Sequence, residues 1–565
     1  MKKQIGAKLV GALLTSAFTV LPTLSWAVTP PTSTQPGVIM KGLEQQNTEP
    51  SPSEGVIVIP KEQVSGNKLS TKKEFVLKKI ILDQSNVITP EALFEMYKDF
   101  VGQKVSFADL NVIAQRVTKK YREDGYIFSR AVLPPQKITD GVVHLRAVEG
   151  RIAHVKLVGT YTDKDGLIQK LADKISTSNA ANAKEIERYL LLINDLPGIT
   201  AKSFIKPSEE AGGGDLIIDV EEKSAEGSVS VDNRGSDYLG PGRGTAVAAF
   251  NDVLGLHDRT TFRTIDTPNI RELRFGDITH EEQIGSDGAK ITARAAFTGS
   301  NPGGSISDEE ITGSSAEYDL AGVYPLLRSR QYNVNLVAGF DALESMTKVL
   351  GIQTADDRVR TVRAGTRFDL TDPFKGVNQF EVLATQGLTG LGATPDGAGR
   401  SRTNGYEDFL KGTATATRVQ QLPDLWSLML TGTGQASNRP LLASEQFSLG
   451  GPAYGRAFDA GEVTGDDGYA GVAELRYGGP IADNQILQSY QAYTYTDYGR
   501  VMNQDITGIP GAYSHESLTS AGLGVRLNFQ QNFSGYVEVD KPMDKAPAAE
   551  GDNGSRLFFS VLKRF

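Results

Sequence analysis

The last ten residues, Arg556-Leu557-Phe558-Phe559-Ser560-Val561-Leu562-Lys563-Arg564-Phe565, decide between the two folds that the C-terminal part of this 565-residue chain allows. Leu557, Phe559 and Val561 share one face of a strand with the terminal Phe565. A soluble β-sandwich and a membrane barrel both produce such alternation, but a last strand that stops on an aromatic residue is typical of outer-membrane barrels. Lys563 interrupts the apolar face, and a lysine at the membrane interface can extend its amine into water. The sequence therefore predicts a transmembrane β-barrel.

Alternating segments extend this interpretation towards the N-terminus. Leu523, Val525 and Leu527 alternate with small and polar residues, and Val537 and Val539 do the same in the next segment. We count 16 candidate strands if residues 435–467 form one long loop. Strands of about 9 to 11 residues can cross an outer membrane, and an even number closes the sheet with no edge in lipid. We therefore predict an antiparallel barrel of 16 strands over residues 224–565.

Two copies of a smaller pattern precede the barrel, over residues 74–150 and 151–223. Each copy reads strand, helix, helix, strand, strand, and helix starts are marked by Thr89-Pro90 and by Ser106 with Asp109 three residues later. We predict two tandem α+β modules, each a three-stranded sheet with helices on one face and an exposed edge strand. Two interpretations remain open: the modules are inert spacers, or their edges capture extended polypeptide by strand addition.

The N-terminal segment has the pattern of an exported protein. Lys2 and Lys3 precede an apolar stretch that ends in Ser25-Trp26-Ala27, which predicts a signal peptide over residues 1–27. A membrane anchor is less favoured, because the apolar stretch is short for the roughly 20 residues that a span needs. Residues 28–73 are rich in Pro, Ser, Thr and Gln, which predicts a flexible tether.

Composition limits the possible functions. The chain has 60 Gly, no Cys and a net charge of -9. The absence of Cys excludes a disulfide scaffold and a cysteine nucleophile, and the acidic balance argues against nucleic acid as a partner. The five His residues are not at metal-ligand spacing to one another, and we find no phosphate loop or nucleophile elbow. We therefore expect a protein that is not an enzyme, without a catalytic, cofactor-binding or metal site.

Two stretches resemble the first POTRA module of two-partner secretion transporters, the haemolysin secretion/activation type. They are residues 124–136, which read DGYIFSRAVLPPQ, and the later Val148-Glu149-Gly150. The resemblance continues through residues 195–199 (DLPGI) and 231–235 (VDNRG). Its signature residues in the first module are Gly125, Tyr126, Arg130, Leu133, Pro134, Pro135 and Gln136. This resemblance implies two periplasmic POTRA modules and a 16-stranded barrel that exports one large exoprotein across the outer membrane without ATP.

The resemblance also implies a site inside the barrel. In the family the long loop folds back into the lumen and carries an arginine, which corresponds to Arg456, although the neighbouring glycine lies on its other side here. The stretch 495–499 (YTDYG) is similar to a family strand motif whose aspartate, here Asp497, pairs with that arginine. A guanidinium and a carboxylate can form a bidentate bond that fixes a mobile loop. Further expected site residues are Glu474, the loop residues Gly455, Ala457, Phe458 and Asp459, the strand residues Tyr495 and Gly499, and the C-terminal Phe565.

Three functions remain in competition. They are polypeptide secretion, outer-membrane protein assembly by a related insertase, and a passive porin. Two modules and the Leu-Pro-Pro-Gln signature favour secretion, and a porin would need no periplasmic repeats. The implied partners are an exoprotein in extended form, outer-membrane lipid and the assembly machinery that reads the last strand. The family also has an N-terminal helix that plugs the barrel, for which residues 39–46 are the candidate.

Overall fold

The computed structural model describes residues 30–44, 57–58, 74–175, 180–210, 213–395, 397, 399–482, 485–507 and 513–565. The predicted signal peptide and most of the predicted tether lie outside these residues. The N-terminal part contributes helix α1 (Pro36–Glu44) and the short strand β1 (Ile57–Val58). No helix in the described ranges is long and apolar enough to cross a membrane.

The first module contains, in chain order, β2 (Glu74–Val76), β3 (Lys79–Asp83), α2 (Pro90–Tyr97), β4 (Lys104–Ser106), α3 (Phe107–Glu123), β5 (Arg130–Val132) and β6 (Val142–Val148). Strands β3, β6 and β5 form the predicted three-stranded sheet. The predicted caps are present, since Thr89 accepts the Ala92 N–H and Ser106 forms a capping box with Asp109. Leu110, Ile113 and Val117 of α3 are fully buried, so this face of the helix supplies the core.

The second module contains β7 (Arg151–Thr160), α4 (Leu167–Ile175), α5 (Ala183–Asn194), β8 (Ile199–Pro207) and β9 (Gly213–Glu222). Its sheet has the order β1-β8-β9-β7. Strand β1 pairs in parallel with β8, placing Ile57 opposite Ser203 and Val58 opposite Phe204. The edge of β8, which the sequence led us to expect open, is therefore covered over two residues by the chain itself.

The rest of the chain forms a closed antiparallel barrel of 16 strands, as predicted. Its strands are β10 (Ala225–Asp232), β11 (Arg243–Asn251), β12 (Arg259–Asp266), β13 (Leu273–Ile284), β14 (Ala289–Ser300), β15 (Thr312–Arg328), β16 (Tyr332–Val349), β17 (Ile352–Thr371), β18 (Gly376–Gly387), β19 (Leu410–Gln421), β20 (Trp426–Ser437), β23 (Asp467–Pro480), β24 (Leu487–Met502), β25 (His515–Phe529), β26 (Phe533–Pro542) and β27 (Arg556–Arg564); the short strands β21 (Phe447–Leu449) and β22 (Val463–Gly465) lie in the long connection before β23. Pairing of β10 with β27 closes the barrel.

The predicted apolar face of the last strand lies on the outside of the barrel. Leu557, Phe559 and Val561 are each more than 40% exposed, and so are Leu523 and Val537 on the neighbouring strands. Side chains on the opposite face, such as Phe558 and Glu538, are buried. In a bilayer the exposed apolar side chains contact lipid, which explains why the apolar residues recur at every second position.

Candidate functional site

The long connection between β20 and β23, residues 438–466, folds back into the barrel. It is the sixth connection on the side away from the modules, as expected. Strands β21 and β22 pair as a small hairpin, with Phe447 opposite Gly465. Gly450 and Gly455 have φ of 103° and 75°, and a Cβ on Gly450 would lie 1.9 Å from the Asp459 carbonyl oxygen. These two glycines allow the reversal that places the tip of the loop, residues 450–459, in the lumen.

Apolar packing holds the loop tip against the barrel wall. Ala457 and Phe458 are buried in one cluster with Leu449, Val501 and Leu518. A Cβ on the motif residue Gly499 would lie 2.6 Å from the Leu449 side chain. The glycine of the strand motif therefore makes room for the loop, which gives this expected site residue a steric role.

Arg456 is buried, but its guanidinium does not pair with Asp497 as we expected. It donates to Glu474 at 2.6 Å, lies 3.6 Å from Glu538 and stacks over the Tyr495 ring, 4.3 Å from its centroid. Asp497 instead accepts the backbone N–H of Arg456 at 3.1 Å and the Ser520 hydroxyl at 2.5 Å. The predicted residues do meet, but the carboxylate of the strand motif anchors the loop backbone, and a different carboxylate takes the guanidinium.

Glu474 is the centre of this site. It is fully buried and accepts hydrogen bonds from Arg476 at 2.7 Å and from Arg526 at 2.6 Å, as well as from Arg456. Glu538 and Asp540, on β26, pair with Arg234. We call the whole set the arginine–carboxylate network: Arg234, Arg456, Arg476, Arg526, Glu474, Asp497, Glu538 and Asp540. Four arginines therefore face four carboxylates.

Five members of this network were not predicted. Four of them lie next to outward-facing residues on their strands, on the face that points into the lumen: Arg476, Arg526, Glu538 and Asp540. A charged residue at such a position was the sequence signal for a site in the lumen. Arg234 follows β10 in a connection, where alternation gives no information. It lies in the VDNRG stretch, residues 231–235, which carries the family resemblance, and that stretch was the available signal. Charges that face a lumen are common in barrels, and this signal alone does not say which of them meet.

Asp459 and two glutamates form a second acidic group near the loop tip. Asp459 accepts a hydrogen bond from Arg556 at 2.7 Å, and Arg556 also pairs with Glu550. Burial, reinforced by the charge of Asp459, raises the pKa of Glu462 to about 7 although the Ala548 N–H opposes it. Burial and Asp459 likewise raise the pKa of Glu550 to about 7.

We expect these raised pKa values to loosen the loop at alkaline pH. A folded-state pKa above the ordinary 4.5 means that folding favours the protonated acid, so this contribution is fully present below about pH 4.5 and is lost as pH rises through about 7. Protease cleavage of residues 438–466 on intact cells should be faster at pH 8.5 than at pH 5.5. Glu462→Gln should reduce the difference, whereas Glu310→Gln, at an exposed acid, should leave it unchanged. Equal cleavage at both pH values would contradict the expectation.

Helix α1 lies in the lumen. Its residues 36–44 overlap the predicted plug candidate 39–46, of which residues 45 and 46 lie outside the described residues. Met40 is fully buried among side chains of the barrel wall and the long loop, including Phe275 and Leu441. Lys41 pairs with Glu317 of β15, and Glu44 pairs with Arg294 of β14 at 2.5 Å. The helix thus combines apolar contacts, which include Ile39 against Tyr238 and Leu273, with two ion pairs to the wall.

Helix α1 and the residues just before it also contact the long loop. The Thr32 hydroxyl donates to the Gly461 carbonyl at 3.1 Å. A Cβ on Gly37 would lie 2.9 Å from the Ser444 side chain, and one on Gly461 would lie 2.7 Å from Val38. Two glycines therefore permit the close approach, and the helix and the loop contact each other inside the lumen.

The signature residues of the first module have structural roles. Gly125 ends α3 with φ of 98°, and its carbonyl accepts the Ala183 N–H of the second module at 2.8 Å. Gln136 exchanges hydrogen bonds with the His144 backbone, at 2.6 and 2.8 Å, after Pro134 and Pro135 have ended the strand. Tyr126 and Leu133 pack against the module core, and Arg130 is exposed at the start of β5.

The second module also contacts the barrel. Buried His257, in the connection after β11, lies 3.0 Å from Asp163 and 3.4 Å from Asp165. The ligand atoms of these three residues are within 4.8 Å of one another, a spacing at which a metal ion could bind. The spacing of the His residues in the sequence did not predict this group, because it contains one His and two Asp. Asp163 already accepts the Ile168 and Gln169 N–H groups at the start of α4. His257, Asp163 and Asp165 therefore join helix α4 of the second module to the barrel.

Two POTRA-like modules followed by a closed 16-stranded barrel, with a helix and a loop anchored in its lumen, define an outer-membrane transporter with periplasmic modules. Residues 75–150 match the family model "POTRA domain, ShlB-type". Residues 212–527 match the model "Haemolysin secretion/activation protein ShlB/FhaC/HecB". The chain belongs to this family, whose members are the transporters of two-partner secretion.

Named relatives agree with this assignment. The heme/hemopexin transporter protein HuxB of Haemophilus influenzae strain 86-028NP is 23% identical over 548 residues, 94% of each chain. The outer membrane transporter CdiB of Escherichia coli O6:K15:H31 is 24% identical over 409 residues, 70% of this chain and 67% of the relative. The solved structure of CdiB from Escherichia coli superposes with a TM-score of 0.75 at 20% identity, covering 93% of this chain and 95% of that one. The predicted family, fold and outer-membrane location are confirmed, and the assembly-factor alternative is not favoured.

Proposed function

We propose that this transporter exports one large secreted exoprotein, which passes through the barrel in extended form without ATP or catalysis. The observation that carries the proposal is the lumen itself. Helix α1 and the long loop both lie in it, and both are attached to the wall by ion pairs and hydrogen bonds. A pore closed by two such elements suits a conduit that opens only for its client.

The network gives the long loop a defined resting position. The Arg456 guanidinium is bound by Glu474 of β23, and the Arg456 backbone N–H is bound by Asp497 of β24. Charged hydrogen bonds of this kind are stronger than neutral ones, and they are strengthened further where water is excluded. We propose that Arg456, Glu474 and Asp497 anchor the loop in the closed pore and that the anchor releases during export.

The client of this transporter is expected to be encoded beside it. Co-expression of the neighbouring exoprotein gene with and without this chain, followed by assay of the medium, tests the proposal. We expect the exoprotein outside the cell only when the transporter is present. Accumulation of correctly inserted outer-membrane proteins without any secreted product would instead support an assembly factor.

Deleting residues 75–150 is expected to abolish export. Strand β3 forms one edge of the three-stranded sheet of the first module and has no further strand paired to it within the described residues, and such an edge can bind extended polypeptide through main-chain hydrogen bonds. The barrel should still assemble, because its own sheet is closed without the module. Secreted exoprotein should fall to background while surface levels of the barrel stay equal. Export that persists would place client capture elsewhere.

A further inference from the structure

The seam between the first and last barrel strands is short. Strands β10 and β27 pair over five residues, from Ser228 opposite Arg564 to Asp232 opposite Ser560. Every other pair of neighbouring strands in the described barrel is matched over at least eight residues. Because fewer main-chain hydrogen bonds join it, this seam is the weakest line of the wall by backbone pairing alone.

Two side chains that follow β10 extend the seam. The Asn233 amide donates to the Leu557 carbonyl and accepts the Phe559 N–H, each at 2.8 Å. Arg234 then crosses behind β27 to the next strand, β26. Its guanidinium bonds Glu538, lies 3.2 Å from Asp540, and donates to the Tyr536 hydroxyl at 3.2 Å.

The same guanidinium reaches the loop tip. It donates to the Arg456 carbonyl oxygen at 2.9 Å and lies 3.8 Å from the centroid of the Phe558 ring, over which it stacks. The Arg234 side chain is only 6% exposed. One buried side chain, two residues after the first barrel strand, therefore contacts the last two strands and the tip of the long loop at once.

We propose that Arg234 is a positioning residue that couples the seam to the loop tip. If β10 moves away from β27, Arg234 leaves Glu538, Asp540 and the Arg456 carbonyl, so the tip loses a contact and two carboxylates lose a partner. If the tip moves first, Arg234 loses the contact that joins it to the loop. This proposal rests on the proposed function, in which the tip must move, and it assigns the control of that movement to a residue outside the loop.

Because the chain has no cysteine, an engineered disulfide can test this coupling directly. Ser230 and Leu562 lie opposite each other in the seam, so Ser230→Cys with Leu562→Cys places a disulfide across it. Hydrogen exchange of residues 450–459, measured with the seam oxidised and reduced, reports the tip without any client. We expect oxidation to slow this exchange by roughly 5- to 150-fold, the usual range for coupled sites. In an Arg234→Gln background oxidation should have no effect on the tip.

Two further variants complete the design. Arg234→Lys keeps the charge but lacks the planar fork, so it should give an intermediate effect. Arg367→Gln, at an arginine paired with Glu381 away from the seam, should behave like the parent. Slowing of equal size with and without Arg234, or no slowing in the parent, would overturn the proposal. Because no client is used, either result would leave the secretion assay, and hence the proposed function, to be judged separately.

Discussion

Replacing Glu474 with glutamine is expected to impair export more than replacing any single arginine of the network. Glu474 is fully buried and has three guanidinium partners, so its neutralisation leaves Arg456, Arg476 and Arg526 without their shared carboxylate. Breaking a buried pair by removing one partner costs about 3 to 5 kcal/mol. In Arg456→Ala, by contrast, Glu474 keeps two arginines. Secreted exoprotein, measured at equal surface levels of the barrel, should fall furthest for Glu474→Gln.

A double variant and a matched control sharpen this test. Glu474→Gln combined with Arg456→Ala should be little worse than Glu474→Gln alone, because the two residues share one interaction. Glu381→Gln removes a carboxylate from an arginine that is 45% exposed, so it should leave export near the parent level. Additive defects, or equal loss in the Glu381 variant, would mean that the network does not anchor the loop.

Replacing Lys41 with methionine and Glu44 with glutamine is expected to open the pore. Each substitution removes one ion pair between α1 and the wall while keeping the length of the side chain. The four side chains are 2 to 29% exposed, so each pair contributes at least the roughly 1 kcal/mol of an exposed pair. Losing both then raises the population of displaced helix by at least about 30-fold. Single-channel recordings in planar bilayers should show more frequent openings by about this factor. The difference between the variant and the parent should become smaller at high salt, because salt weakens the ion pairs of the parent.

The control for the plug is an exposed pair of the same type in the first module. Lys98→Met with Glu95→Gln removes an ion pair whose side chains are both more than half exposed, so channel openings should not change. Deleting residues 36–44 should give openings at least as frequent as the double variant. Unchanged conductance in that deletion would show that the helix does not obstruct the pore.

Periodicity predicted the parts of this fold that depend on burial. The strand count, the outward face of Leu557, Phe559 and Val561, and the caps at Thr89 and Ser106 were predicted correctly because each is decided by neighbours in sequence. The first module was predicted to begin with one continuous strand. In the structure it is divided into β2 and β3, since Lys78 donates to Gly141, a residue of a distant turn.

The site was predicted as a set of residues but not as a set of bonds. The family motif located Arg456 and Asp497, and the structure places both at the loop tip. Which carboxylate takes the guanidinium depends on how β23, β24 and β26 stagger around the barrel, and one sequence carries no information on that register. The stretch 231–235 marked the position of Arg234, but its contacts could not be predicted for the same reason, because these partners lie 222 to 306 residues away along the chain.

Strand β1 limits how far the plug can travel. It lies between α1 and the first module along the chain, yet it is paired with β8 of the second module. From Glu44 to Ile57 a fully extended chain spans at most roughly 43 to 47 Å, at about 3.3 to 3.6 Å per residue. While β1 stays paired with the second module, α1 can move no further from it than this length. Two residue pairs at one sheet edge thus limit how far α1 can move from its place in the lumen.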